Sequence, residues 1–126
     1  MLKLNITELI ICVLGIHWIA DFIFQSQEIA KNKYKYIDVL LKHIMQYMFI
    51  SFGLHLLING AINHETLAYW IIINTVLHFI VDFITSKITH YLYEKNEIHM
   101  FFVVIGLDQL LHYICLFTTL NYFKII

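Results

Sequence analysis

The sequence predicts an all-α membrane protein, a bundle of four transmembrane helices, and three observations carry that reading. Of the 126 residues 60% are hydrophobic and 13% charged, with a mean hydropathy of +0.74, far too apolar for a soluble domain of this size. The apolar residues fall into four long segments, each close to the roughly 20 residues that cross a hydrocarbon core of about 30 Å. The stretches between them, such as QSQEIAKNKYKY and YEKNE, are short and polar. Helices are therefore expected at residues 7–24, 37–62, 66–88 and 98–123 of a single membrane domain, 1–126, with no separate soluble catalytic domain.

The first segment, Leu9 to Phe24, contains His17 and Asp21 and lacks an A-x-A-like cleavage site, so it reads as a retained span and not a signal peptide. Lys31, Lys33, Lys35 and Lys42 load the first loop, and Lys87 and Lys95 flank the third, whereas INHET between helices two and three has no Lys. The positive-inside rule then puts the first and third loops in the cytoplasm and both termini outside, in a bacterial cytoplasmic (inner) membrane. Tyr34, Tyr36, Tyr69, Trp70, Tyr91, Tyr93 and Tyr122 cluster near span ends, as an aromatic belt does. The eight cations are all Lys, so the bidentate clamp of arginine is missing, and no basic patch points to nucleic acid. The expected partner is membrane lipid. Cys12 and Cys115 lie in apolar runs without C-x-x-C spacing and read as small buried hydrophobes.

An internal repeat organises the chain. IHWIADFI (Ile16 to Ile23) and LHFIVDFI (Leu77 to Ile84) share His, Ile, Asp, Phe and Ile at identical offsets, and LLKH ending at His43 is echoed by QLLH ending at His112. The two halves read as parallel helical-hairpin repeats, with any pseudo-twofold axis roughly along the membrane normal. Residues four apart share a helix face, so His17 with Asp21, His78 with Asp82 and Asp108 with His112 each present an imidazole and a carboxylate together. At 1.5 Å per residue, Asp21, His43 and Asp82 sit about 7 to 9 Å inside the loop ends of their helices, and the others lie deeper.

A carboxylate at the centre of a membrane helix costs about 2.5 to 3.5 kcal/mol, so three of them must be neutral, solvated, paired or metal-bound. Imidazole with carboxylate is a ligand set for Zn, Mn or Fe, and helical bundles hold such ions between inward-facing side chains. The expected ligands of a divalent metal ion are His17, Asp21, His43, His78, Asp82, Asp108 and His112. Asp82 and Asp108 are the candidate catalytic carboxylates, with Asp108 either ligating or acting as general base. No serine or cysteine nucleophile stands beside a base, which favours metal-activated water. Gln25, Gln46 and Gln109 fit either as donors to the ligating side chains or as interhelical partners. His64 is expected in a solvated loop, His55 in a bundle hydrogen bond, and His90 and His99 near the mouth.

The segments HWIADFIFQSQEIAKNK, LLKHIMQY, LHFIVDFI and GLDQLLHY together resemble a family of small phage and bacterial membrane proteins catalogued as a domain of unknown function, over nearly the whole chain. The H-x-x-x-D helices are also similar to those of inner-membrane proteins named as membrane-bound metal-dependent hydrolases. That likeness implies a metal and ester or phosphoester hydrolysis, carried by His17, Asp21, His78 and Asp82 and completed by Asp108 and His112.

The leading expectation is a membrane-embedded metal-dependent hydrolase acting on a lipid or lipid-linked phosphate or ester near the cytoplasmic leaflet, its site complete in one chain or shared across a homo-oligomer. A haem-binding electron-transfer bundle would instead use His17 with His78 or His43 with His112, but an aspartate one turn from each ligand and only four Gly weigh against it. A proton or cation pathway, or a phage-type effector without enzymatic activity, is the third class. A pathway needs continuity, and ICVLG before His17 and CLFTTL after His112 offer little beyond Thr118 and Thr119.

Overall fold

The computed structural model describes residues 4–58 and 63–125, and every element among them is helical. Helix α1 spans Ile6–Trp18 and runs directly into a π-helical turn, Ile19–Ile23. Then come a short α2, Gln27–Asn32, followed by α3, Ile37–Ile58, α4, His64–Glu94, and α5, Ile98–Tyr122. Four of these, α1 with its π turn, α3, α4 and α5, are long and apolar enough to cross a membrane, as the sequence predicts. The last residues of the helix expected over 37–62 lie outside the described residues.

Local chemistry sets most of the ends. Asn5 caps α1 in a reciprocal box, its side chain accepting from the Glu8 N–H at 3.0 Å while Glu8 accepts from the Asn5 N–H at 2.8 Å. Ser26 accepts from the Ile29 N–H at 3.3 Å and starts α2 inside a stretch that its polarity alone marks as loop. Buried Ile29 ties that short helix to the bundle. Helix α4 runs past the expected end at residue 88 to Glu94, because TSKITHYLYE contains neither Gly nor Pro to stop it. At 31 residues it is about 46 Å long, well beyond the thickness of a hydrocarbon core. Asn96 closes that helix in the left-handed region, with φ of 58°, a conformation that asparagine tolerates better than most residues.

Burial is inverted relative to a soluble bundle. Trp18, Phe49, Leu57, Phe102, Leu110 and Ile114 face outward, while His17, His43, His78 and Asp82 are at most 1% exposed. Such a chain is at home in lipid, and the fold is that of a helical membrane protein. Helix α4 is the centrepiece, packing on α5 and α3, with α1 and its π turn against α3. The interior has two zones. Toward the N-terminal end of α4, Leu9, Val13, Leu67, Trp70, Ile71, Leu116 and Leu120 form an apolar cluster. The Trp70 indole N–H and the Asn74 amide both donate to the Thr119 hydroxyl at 2.8 Å. Toward the other, lysine-rich end, the buried residues become ionisable.

Candidate metal centre

Helical spacing delivers the site residues. On α4, Trp70, Asn74, His78, Asp82 and Ser86 recur every fourth position and are all buried, and His43, Tyr47, Ser51 and His55 do the same on α3. His112 and Asp108 come from α5, His17 from the last turn of α1 and Asp21 from the π turn. The π turn is closed by the Phe24 N–H donating to the Ile19 carbonyl at 3.1 Å, and Gln46 donates to the Phe24 carbonyl at 2.6 Å, pinning this end to α3. All seven residues expected to ligate metal are brought together.

The tightest set is Asp21, His43, His78 and Asp82. His43 Nε2 lies 3.1 Å from Asp21 Oδ1 and 3.2 Å from Asp82 Oδ2. His78 Nε2 lies 3.4 Å from Asp21 Oδ1, 3.7 Å from Asp82 Oδ2 and 3.4 Å from His43 Nε2. Ligands about 2.0 to 2.1 Å from a tetrahedral ion are spaced about 3.3 Å apart. The two imidazole nitrogens thus already stand from each other and from both carboxylates at separations close to those of a tetrahedral N₂O₂ shell, and this group could hold a metal ion. Two further groups, His17 with His78 and His112, and Asp21 with Asp108 and His112, overlap it.

The surroundings leave the imidazoles short of partners. His17 Nε2, His43 Nδ1, His78 Nδ1 and both ring nitrogens of His112 are buried without a hydrogen bond among the described residues. Such orphaned nitrogens are costly in an interior and are what a ligand or bound water would satisfy. Tyr47 fixes two rings at once, its hydroxyl 3.3 Å from His17 Nδ1 and its ring stacked on His78 at 4.0 Å. Gln109 donates to Asp21 Oδ2 at 3.2 Å and to Asp108 Oδ2 at 2.9 Å, and Thr85 donates to Asp108 Oδ1. Asp108, its side chain 14% exposed, sits 3.5 Å from His112 Nδ1 at the edge of the cluster.

Lys33, just after α2, is the residue that sequence reasoning missed. Its ammonium reaches Asp82 Oδ2 at 2.8 Å, with the side chain only 15% exposed. Burial works against its charge, but the Asp82 and Asp21 carboxylates outweigh that and raise its pKa above the ordinary 10.5. A cleft of about 210 Å³ opens beside it, and its lining includes Asp21, Asp82, Asp108 and Lys33 together with Phe22, Phe101 and Ile105. The family model that matches residues 9–125 is described as a protein of unknown function, DUF3307. The chain belongs to that family. Neither a curated protein nor a solved structure matches it.

For this DUF3307 chain, the other histidines stay outside the cluster. His64 is exposed as the first residue of α4, and His99 is exposed in the first turn of α5. His90 stacks on Tyr34 at 3.5 Å and lies 3.1 Å from Glu94. His55 is buried, its Nδ1 bonded to the Ser51 carbonyl of its own helix at 2.7 Å rather than across the bundle. Cys12 and Cys115 are free thiols.

Proposed function

We propose that this chain is a membrane-embedded metal-dependent hydrolase acting on a lipid or lipid-linked phosphate or ester near the cytoplasmic leaflet. The observation that carries the reading is the spacing of Asp21, His43, His78 and Asp82, from three different helical segments, in which the two imidazole nitrogens stand 3.1 to 3.7 Å from each other and from both carboxylates. Charge supports it as well. With Asp21, Asp82 and Asp108 ionised and Lys33 the one lysine among them, two negative charges are left over, the deficit that one divalent cation fills. A bound ion of this kind lowers the pKa of water toward neutrality and polarises an ester or phosphoryl oxygen.

The chain's own residues have distinct tasks. Asp21, His43, His78 and Asp82 hold the ion, while Tyr47 and Gln109 orient His17 and Asp21. Asp108 faces the cleft, held by Thr85 and Gln109, where it can take a proton from water entering from that side. Phe22, Phe101 and Ile105 give the cleft an apolar wall suited to an acyl or prenyl chain. The four imidazoles pack against one another, with His78 and His112 ring centres 4.1 Å apart, which favours an ion over a porphyrin between them.

The test is metal analysis of protein purified in detergent without chelator. One divalent ion per chain, lost on chelation together with hydrolysis of a lipid phosphate or ester, is the expected result. Wild-type protein with no stoichiometric metal after reconstitution with Zn, Mn and Fe would end the hydrolase reading. A proton pathway is the second reading, favoured by the buried stripe His43, Tyr47, Ser51 and His55, which extends polar groups past the cluster into the half of the bundle expected to be bare. Proton flux in liposomes that disappears with Asp82→Asn would favour it.

A further inference from the structure

The cleft beside the metal-ligand group continues into a second cavity of about 430 Å³, and the two share Ala30, Lys33, Ser86, Thr89 and Phe101 in their walls. Two observations in that shared wall point to a ligand. Lys33 carries a mostly buried ammonium whose one hydrogen-bond partner among the described residues, Asp82 Oδ2, is also an atom of the metal-ligand set, so an ion bound there competes for the same oxygen. Ser86 is 8% exposed, and its hydroxyl is buried without a hydrogen-bond partner among the described residues, although it borders both cavities. Lys31 lines the outer cavity, and the one carboxylate there, Glu94, lies 3.1 Å from the His90 imidazole.

These groups are donors and cations. Lysine is a point-charge binder of phosphate, and an unpaired serine hydroxyl supplies a hydrogen bond to one of its oxygens. We propose that Lys33 and Ser86 form the binding site for a phosphoryl group, so that the substrate class is a phosphate ester, with Lys33 exchanging Asp82 for the phosphoryl oxygens once the ion is bound. The inference rests on the metal reading above and narrows it, selecting phosphoesters over carboxylic esters. Lys33 is then a substrate-binding residue, and its contact with Asp82 is the resting arrangement of a site without ion or anion. Phe22, Phe101 and Ile105 line the same cleft and offer apolar surface to a chain attached to the phosphate.

The experiment uses the full chain in nonionic detergent, loaded with Zn or Mn, and measures binding of short-chain phosphatidic acid, inorganic phosphate and short-chain diacylglycerol by calorimetry. Metal content is read on the same samples. Phosphatidic acid should bind at least tenfold more tightly than diacylglycerol, and its affinity should fall as salt is raised. Lys33→Met should remove about tenfold or more and Ser86→Ala several-fold, both with metal content retained, while the exposed Lys42→Met should change nothing. Inorganic phosphate binding as tightly as the lipid would uphold the phosphoryl site and assign it to a soluble ester. Equal affinity for diacylglycerol and phosphatidic acid, or Lys33→Met indistinguishable from Lys42→Met, would overturn it. The salt dependence of the wild type decides the point if the variants fail to fold. Wild-type protein that binds phosphatidic acid through Lys33 but holds no metal would refute the hydrolase reading and leave the anion site standing.

Discussion

Replacing Asp82 by Asn, alone and together with Lys33→Met, separates a metal centre from a set of helix staples. Asp82 is 1% exposed and touches Lys33, His43 and His78 at 2.8, 3.2 and 3.7 Å. If about 10 to 16 kcal/mol of binding free energy is shared by four donors, losing one costs about 3 kcal/mol, or about two decades in metal Kd. In metal-free protein the same change strands the Lys33 ammonium. Breaking a buried pair costs about 3 to 5 kcal/mol, and because Lys33 retains 15% exposure and can turn toward water, about 2 kcal/mol is expected, or a Tm lower by about 5 °C or more. Adding Lys33→Met removes the stranded charge, so the double variant should regain most of that loss while its metal affinity stays low. Lys33→Met alone should bind metal at least as well as the wild type, since a competitor for Asp82 Oδ2 is gone. The assay is a double-mutant cycle reading metal content and melting temperature in detergent. Unchanged metal affinity in Asp82→Asn, or a loss in Lys33→Met as large as in Asp82→Asn, would refute the reasoning.

The remaining predictions are quicker to state. His17→Ala and His78→Ala should each abolish activity, and the double variant should lose little more, because residues acting as a unit are not additive; hydrolysis rates that fall by the product of the single effects would argue for independent roles. Tyr47→Phe keeps the stack on His78 but removes the hydroxyl beside His17 Nδ1, and should weaken metal binding or activity about 10- to 100-fold with the helical content unchanged by circular dichroism. The raised pKa of Lys33 means that its ion-pair contribution is fully present below the unfolded pKa and is lost only as pH rises through the higher folded value. The stability difference between metal-free wild type and Lys33→Met should therefore be flat from about pH 6 to 9, and a step in that window would contradict the assignment.

The four spans were legible because a bilayer demands length and apolarity, and both are properties of a segment rather than of its partners. That the seven candidate ligands lie together was legible for a related reason: an ionisable side chain in such a segment is costly unless it is partnered, and four-residue spacing gathers the pairs on one face. Lys33 was not, because a lysine in a loop looks like a topology signal until the loop folds back over the cleft, as α2 makes it do. Tyr47, Ser51 and Asn74 were hidden among apolar neighbours, where a hydroxyl or amide carries no charge to betray it. The polar column they add shows that the half of the bundle beyond the cluster is less bare than ICVLG and CLFTTL suggest.

The π turn at Ile19–Ile23 makes the backbone geometry at the end of the first span matter as much as the side chains it carries. Compared with the uninterrupted α-helix around His78 and Asp82, this stretch accommodates one residue in excess. Closing the same residues as a regular α-helix would turn its two ends against each other by up to about 100°, one residue's share of a turn. Leu9, Val13, Ile16 and His17 face inward on one side of that point and Asp21 on the other. A first span without the wide turn could then keep either its greasy seam or its carboxylate in place, but not both, so the turn lets one helix serve the apolar zone and the polar cluster together.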